Sequence, residues 1–227
     1  MSVLINSSGA GLNRRGYRRI NAVAPIRETL AAGLLNIAQY RNQPLYDAMC
    51  GSGTIAIEAA LMRKKIAPGI QRRFAFEKYN FVDIGALEKE RKDAKDAVVK
   101  GQVEVFASDV DADAIDLVNI HAKTAGVFDH ISIQRADIKA VLTPDIKGIM
   151  VTNPPYAERM GEKKEVERLY RKLGSLTVDN PDLKCFIISA DMGFEKYYGK
   201  KADKKRKVYN GSIKCNFYQY FRGKSFQ

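Results

Sequence analysis

Asp47-Ala48-Met49-Cys50-Gly51-Ser52-Gly53-Thr54 is the stretch on which the fold turns, because it carries a strand into a glycine-rich turn and then into a helix. Leu45–Met49 is short and apolar enough for a buried strand, and Ile55, Ala59 and Met62 repeat on one helical face just after it. Glycines at such a turn let backbone approach a ligand with no Cβ in the way, and the free N–H groups of a helix start favour an anionic group. A nucleotide-like cofactor is implied. Taken alone, the G-x-G-x-x-A spacing from Gly51 to Ala56 also suits a dinucleotide fold or a turn that binds nothing.

Working outward, further strands are expected near Val103–Ser108, Ile131–Arg135, Ile149–Thr152 and Cys185–Ala190, with helices in most of the gaps. Ile115, Val118, Ala122 and Ala125 share one helical face, as do Val166, Leu169, Leu173 and Leu176. Strand and helix in alternation predict a mainly parallel sheet covered by helices. Lys207–Asn210 and Ile213–Phe221 flank Asn210-Gly211, a strong hairpin signal, so the sheet should end in an antiparallel pair. Upstream, Ile26, Leu30, Leu34 and Ile37 mark an amphipathic helix before the first strand, and Leu87 to Lys100 reads as a charged, solvated helix. Residues 1–43 are therefore expected to form a loop and helix packing on the main α/β domain at 44–227.

The 227 residues, 45% of them hydrophobic, suit one domain with a small extension. No apolar run approaches a membrane span, and Val3-Leu4-Ile5 is too short for a signal peptide, so a cytoplasmic protein with no membrane partner is expected. Three scattered cysteines and two histidines lack metal-ligand spacing, which predicts neither a disulfide scaffold nor a metal site. Lys and Arg number 38 against 26 Asp and Glu, a net charge of +12 that favours a polyanionic partner, nucleic acid above all.

A dinucleotide fold needs an acid about 20 residues after the glycines to hold ribose hydroxyls. Gln71-Arg72-Arg73 stands there instead, which weakens NAD more than NADP. The better acid is Asp109, at the end of the second strand, where neighbouring strand ends share one crevice with the glycine turn. Asp111 reads as the cap of the following helix. Asp137, after the third strand, offers another carboxylate to the same crevice, suited to an adenine amino group or simply to capping a helix.

Asn153-Pro154-Pro155-Tyr156 follows the fourth strand directly. Two successive prolines stop helix and ladder alike and hold Asn153 and the Pro154 carbonyl in a fixed orientation. An amide oxygen and a backbone carbonyl together can accept both hydrogens of one planar exocyclic NH2, drawing its lone pair out of conjugation. Tyr156 supplies an aromatic plane for a displaced base.

Together, D-A-M-C-G-S-G-T-I-A-I-E-A-A from Asp47, the acid in S-D-V-D and the tetrapeptide N-P-P-Y resemble an S-adenosylmethionine-dependent methyltransferase of the amino-group type. The resemblance extends to Asn6–Arg18, Ala24–Ala32, Phe74–Lys78 and Lys201–Gly211, nearly the whole chain. This set is similar to the catalytic domain of the bacterial large-subunit ribosomal RNA guanine-N2-methyltransferases, which usually follows an RNA-binding THUMP domain. The resemblance implies a Rossmann-like class I methyltransferase fold, a seven-stranded, mostly parallel α/β sheet ending in an antiparallel hairpin. It further implies S-adenosylmethionine as cofactor, with Asp47, Cys50, Gly51, Gly53 and Thr54 in the cofactor loop, Asp109 at the ribose, Asp137 near the adenine and Thr29 near the methionine end. Asn153, Pro154 and Tyr156 would handle the target amine. Asn13, Tyr79 and Ala157 depart from residues common in relatives, His, Trp and Gly respectively, and none touches that chemistry.

The expected substrate is RNA, ribosomal before transfer RNA, with guanine N2 preferred to adenine N6. The length leaves no room for a THUMP domain ahead of Asn6, so a catalytic fragment or a shorter family member is expected. Phosphates would be gripped by Glu195–Lys207, which carries seven Lys/Arg, and by Arg14, Arg15, Arg18 and Arg19, with Tyr197 and Tyr198 offering stacking surfaces or packing under the loop. Competing readings are a DNA adenine methyltransferase, which usually brings a target-recognition region, a nicotinamide-dependent reductase, which leaves the tetrapeptide unexplained, and a non-catalytic RNA-binding module.

Overall fold

In the computed structural model, described for residues 2–18, 26–156 and 160–221, seven strands form one sheet. In chain order the elements are α1 (Glu28–Ile37), β1 (Leu45–Asp47), α2 (Thr54–Arg63), α3 (Ile84–Asp96), β2 (Val105–Asp109), α4 (Ala112–Ala125), β3 (Ser132–Arg135), α5 (Ile138–Val141), β4 (Gly148–Thr152), α6 (Met160–Thr177), β5 (Leu183–Ser189), α7 (Phe194–Tyr198), β6 (Lys204–Asn210) and β7 (Ile213–Tyr220). Strand order is β3-β2-β1-β4-β5-β7-β6. The first five strands run parallel, and β7 lies antiparallel to both β5 and β6. This is the Rossmann-like sheet with a terminal hairpin that the sequence predicts.

Strand periodicity splits the interior in two. Ile149, Val151, Phe186, Ile188, Cys215 and Phe217 point into the cluster shared with α1, α2 and α4. Their alternates, Met150, Cys185, Ile187, Tyr218 and Tyr220, pack on the other face with Val166, Tyr170 and Leu173 of α6 and Phe194 and Tyr198 of α7. Strand order reverses between β1 and β4, so the carboxyl ends of β1, β2 and β4 open onto a shared crevice.

Several boundaries differ from expectation for local reasons. The first strand stops at Asp47, because the Cys50 N–H bonds to the Ser108 carbonyl at 3.0 Å and the chain has already turned. The charged helix begins at Ile84, since Asp83 caps it by accepting from the Gly85 N–H at 2.8 Å. In α1 the buried positions are Glu28, Ala31, Leu34 and Leu35, a face rotated from the Leu30–Ile37 stripe. The hairpin starts at Lys204, three residues earlier than hydrophobicity indicates. An edge strand needs only backbone pairing, and its charges stay in solvent. Among the described residues no helix is long and apolar enough to cross a membrane.

Candidate active site

The turn after β1 is shaped by two left-handed glycines, Gly51 at φ +50° and Gly53 at φ +78°. At Gly53 an added Cβ would sit 2.7 Å from Val118 Cγ1 of α4, so this position needs both the conformation and the missing side chain. At Gly51 the space is open and only the conformation matters. Gly53→Ala should therefore cost about 2–5 kcal/mol, from left-handed strain plus overpacking against a stiff β-branched neighbour. Urea unfolding measures this. Val118→Ala in the same chain should recover the overpacking part only, and Gly51→Ala alone should cost less than Gly53→Ala.

Polar ties hold the turn from above and below. The Gly51 N–H donates to Asp109 Oδ2 at 2.9 Å, linking the loop to the end of β2. Asp109 Oδ1 accepts from the Asp111 N–H at 3.1 Å, and Asp111 in turn caps α4 through the Asp113 N–H. From beneath, the buried His121 sets its Nδ1 3.1 Å from the Ser52 carbonyl. Each oxygen of Asp109 has lone-pair capacity left for a further donor.

Asp47 lies under this turn, almost wholly buried, with Oδ1 accepting from Thr152 Oγ1 at 3.0 Å. Burial pushes its carboxyl up to about 7, outweighing the Thr152 hydroxyl that pulls it down, and the Asp109 charge adds to the rise. The same burial, with both carboxylates nearby, drives the Cys50 thiol far above its ordinary value, so it stays protonated. Cys50 therefore contributes backbone rather than a nucleophile.

A cavity of about 350 Å³ opens above the turn, a size suited to a small-molecule ligand. Gly51, Asp109, Asp137 and Asn153 supply its polar groups, and Met49, Ile138 and Leu169 are among its apolar walls. The two chemical motifs of the sequence thus share one cavity. A nucleoside-containing cofactor fits this lining: apolar walls for a base, and a carboxylate with spare acceptor capacity for vicinal hydroxyls.

Not every expected residue faces it. Thr54 turns its Oγ1 toward Arg18, accepting at 2.8 Å, so only its place at the start of α2 bears on the turn. Thr29 is exposed in the first turn of α1 and is not among the lining residues. Asp137 lines the cavity but is already engaged. It caps α5 through the Lys139 N–H at 2.9 Å and meets the Lys172 ammonium at 2.5 and 2.7 Å, which holds its carboxyl below the usual range.

The Asn153–Tyr156 turn is anchored by a residue that the sequence reading leaves out. Tyr170 of α6, fully buried, donates its hydroxyl to the Pro155 carbonyl at 3.0 Å and lies 3.2 Å from Ser189 Oγ. Burial pushes the Tyr170 phenol up to about 12, so it remains a donor. Pro154 is buried, Asn153 and Tyr156 are half-exposed and Pro155 is exposed. Tyr170 sits one turn beyond Val166 on the same face, a spacing that reads as core, and only the contact reveals its second use.

The basic clusters divide. Arg15 pairs with buried Glu58 at 3.4 Å, and Arg18 donates to the Ile26 carbonyl at 2.7 Å, so these two serve the interior rather than phosphates. Arg14 is exposed. Arg19, Ala157 and the Ala24-Pro25 start of one family-like stretch lie outside the described residues. Tyr198 is core, and Tyr197 lies under the Arg171 guanidinium, 5.1 Å from its ring centroid. Lys204, Lys205, Arg206 and Lys207 remain exposed along β6, with Lys205 paired to Glu195 at 2.7 Å.

Residues 15–219 match the model of the RMKL-like methyltransferase domain. The "Putative RNA methyltransferase YpsC" of Bacillus subtilis is 39% identical over 96% of this chain and 57% of its own length. The "Ribosomal RNA large subunit methyltransferase K/L" of a Shewanella species is 37% identical over 97% of this chain and 32% of its own. Among solved structures, "SMU.472, a putative methyltransferase complexed with SAH" superposes with a TM-score of 0.89 at 34% identity, covering 97% of this chain and 58% of that one. The chain thus spans about half, or less, of the length of these relatives. A domain match of that extent, over a sheet whose glycine turn and Asn-Pro-Pro-Tyr turn line one cavity, makes the chain a member of the RMKL-like methyltransferase domain family.

Proposed function

We propose that this chain transfers a methyl group from S-adenosylmethionine to an exocyclic amino group of a nucleobase in RNA, with guanine N2 of large-subunit ribosomal RNA the first choice and adenine N6 the second. The observation that carries the reading is the shared cavity: Asn153 and Pro155 stand on the same wall system as Gly51, Asp109 and Asp137. The family's methyltransferase domain, a similar structure in complex with SAH, and a relative named for large-subunit ribosomal RNA support it.

When bound, S-adenosylmethionine supplies an electrophilic methyl on a positively charged sulfur. Gly51 would leave backbone room for it, Gly53 lets the turn close against Val118 of α4, and Asp109 would accept from its ribose hydroxyls. The ion pair with Lys172 sets how far the Asp137 carboxylate is available to an adenine amine. On the target side, the Asn153 amide oxygen and the Pro154 carbonyl accept the two N–H groups of the attacking amine, while Tyr156 offers its ring to the base. Alignment and acceptors aimed at developing positive charge on nitrogen supply the catalysis. The amine sheds its extra proton after the bond forms, so no strong base is required at the turn.

Incubating the chain with labelled S-adenosylmethionine and unmodified ribosomal RNA, transfer RNA and DNA tests the substrate class. Label in ribosomal RNA is expected. Label confined to DNA would overturn the RNA reading.

Asp47 gives the cofactor step a pH signature. With its carboxyl near 7, it is mostly neutral one unit below and mostly charged one unit above. A cation above the turn gains from the charged form and a neutral ligand does not. The ratio of affinities for S-adenosylmethionine over S-adenosylhomocysteine should therefore rise several-fold from about pH 6 to about pH 8. Asp47→Asn should flatten that rise in calorimetric titrations.

A further inference from the structure

Beyond the C-terminus of α1, the sheet face that this helix covers continues into an open cavity. Gln219 of β7 stands between Phe186 of β5 and Lys204 of β6 in register. The two-residue period places Lys184 on this face beside Phe186, and Arg206 beside Lys204. These side chains line a cavity of about 450 Å³, with Asn36 and Gln43 at its rim. It lies at the end of the sheet opposite the crevice, since Ile149 on its wall is the second residue of β4 and Asn153 follows that strand about 13 Å farther along.

Two features of this cavity have no counterpart within the protein. Gln219 is only 4% exposed, yet its Nε2 has no hydrogen-bond partner. Lys184, Lys204 and Arg206 place three like charges around one cavity, and none pairs with a described acid within 4 Å. Protection of a sheet edge accounts for Lys204 and Arg206 on β6. It does not account for Lys184, which stands on the interior strand β5, nor for the orphaned amide. Three cations and an amide N–H form a donor set that selects an anion with several acceptor oxygens.

We propose that this cavity is a subsite for backbone phosphates of the RNA, remote from the reacting base, with the Gln219 amide donating to a phosphate oxygen amid Lys184, Lys204 and Arg206. The inference rests on the RNA reading and deepens it. Phosphate contacts of this kind set register and affinity and carry no base information.

Fluorescence anisotropy with a labelled ribosomal RNA fragment, repeated over a salt series, tests it on the 227-residue chain. Lys184→Ala with Lys204→Ala and Arg206→Ala should weaken binding at least tenfold. It should also reduce the slope of log affinity against log salt by about one or more, whereas cofactor affinity stays unchanged. Lys92→Ala with Lys95→Ala, removing two exposed cations of α3, should change RNA affinity less than twofold. Gln219→Leu should weaken RNA binding at least threefold without lowering the unfolding midpoint, a combination that a purely structural glutamine would not give. RNA binding by the wild type, with the triple variant equal in affinity and slope, would overturn the subsite alone. Failure of the wild type to bind RNA at all would overturn the RNA reading and the subsite with it.

Discussion

Replacing Asn153 by alanine should lower the single-turnover rate of methyl transfer by about a hundredfold, the scale on which one aimed polar group matters in a transition state. The variant loses an acceptor that is worth most when the attacking nitrogen becomes positive, and it keeps everything that shapes the turn. Pro154 is still buried, and the Tyr170 hydroxyl still holds the Pro155 carbonyl at 3.0 Å. Gly51 and Asp109, which also line the cavity, are untouched, so cofactor affinity should change less than about threefold, under about 0.7 kcal/mol. Rapid-quench transfer assays beside calorimetric cofactor titrations separate the two quantities. A variant that retains at least a tenth of wild-type turnover would remove Asn153 from the chemistry.

Asp109→Ala is expected to do the converse, weakening cofactor binding by about 10- to 100-fold, the range for losing charge-assisted hydrogen bonds. Part of the loss is indirect. The Gly51 N–H, now satisfied at 2.9 Å, would lose its acceptor, and the turn would lose its tie to β2. Asp109→Asn retains one carbonyl oxygen and should fall between the wild type and the alanine variant. Once cofactor is saturating, the transfer rate of Asp109→Ala should approach that of the wild type. Equal cofactor affinity in the alanine variant and the wild type would show that Asp109 holds nothing.

The parts of this site carried by short-range chemistry are legible in the sequence. Paired glycines before Thr54, an acid at a strand end and a double proline each have a local physical meaning that tertiary context leaves intact. Asp111 is likewise predictable as a cap. What escapes the sequence is the second layer. Thr152 looks like an ordinary strand residue until its hydroxyl is seen on Asp47, and Tyr170 looks like a core aromatic until its hydroxyl reaches the Pro155 carbonyl. These contacts join residues 105 and 15 positions apart, which periodicity along one element does not encode.

Charge is misleading for the same reason. Arg15 and Arg18 count toward +12 and look like a phosphate clamp, but Glu58 and the Ile26 carbonyl draw them inward. Lys184 stands alone in the sequence, and only sheet register brings it near Lys204 and Arg206. Asp137 illustrates the intermediate case. Its place at the crevice follows from strand order, whereas its partner Lys172 comes from a helix 35 residues away.

The most direct test of the central claim is the chemical identity of the product. Unmodified large-subunit ribosomal RNA is treated with the chain and S-adenosylmethionine, digested to nucleosides and analysed by mass spectrometry. The proposed reaction predicts methyl on an exocyclic nitrogen, with N2-methylguanosine expected before N6-methyladenosine. Methyl on a ring carbon or a ribose oxygen, or no methyl on any RNA while the cofactor still binds, would contradict it.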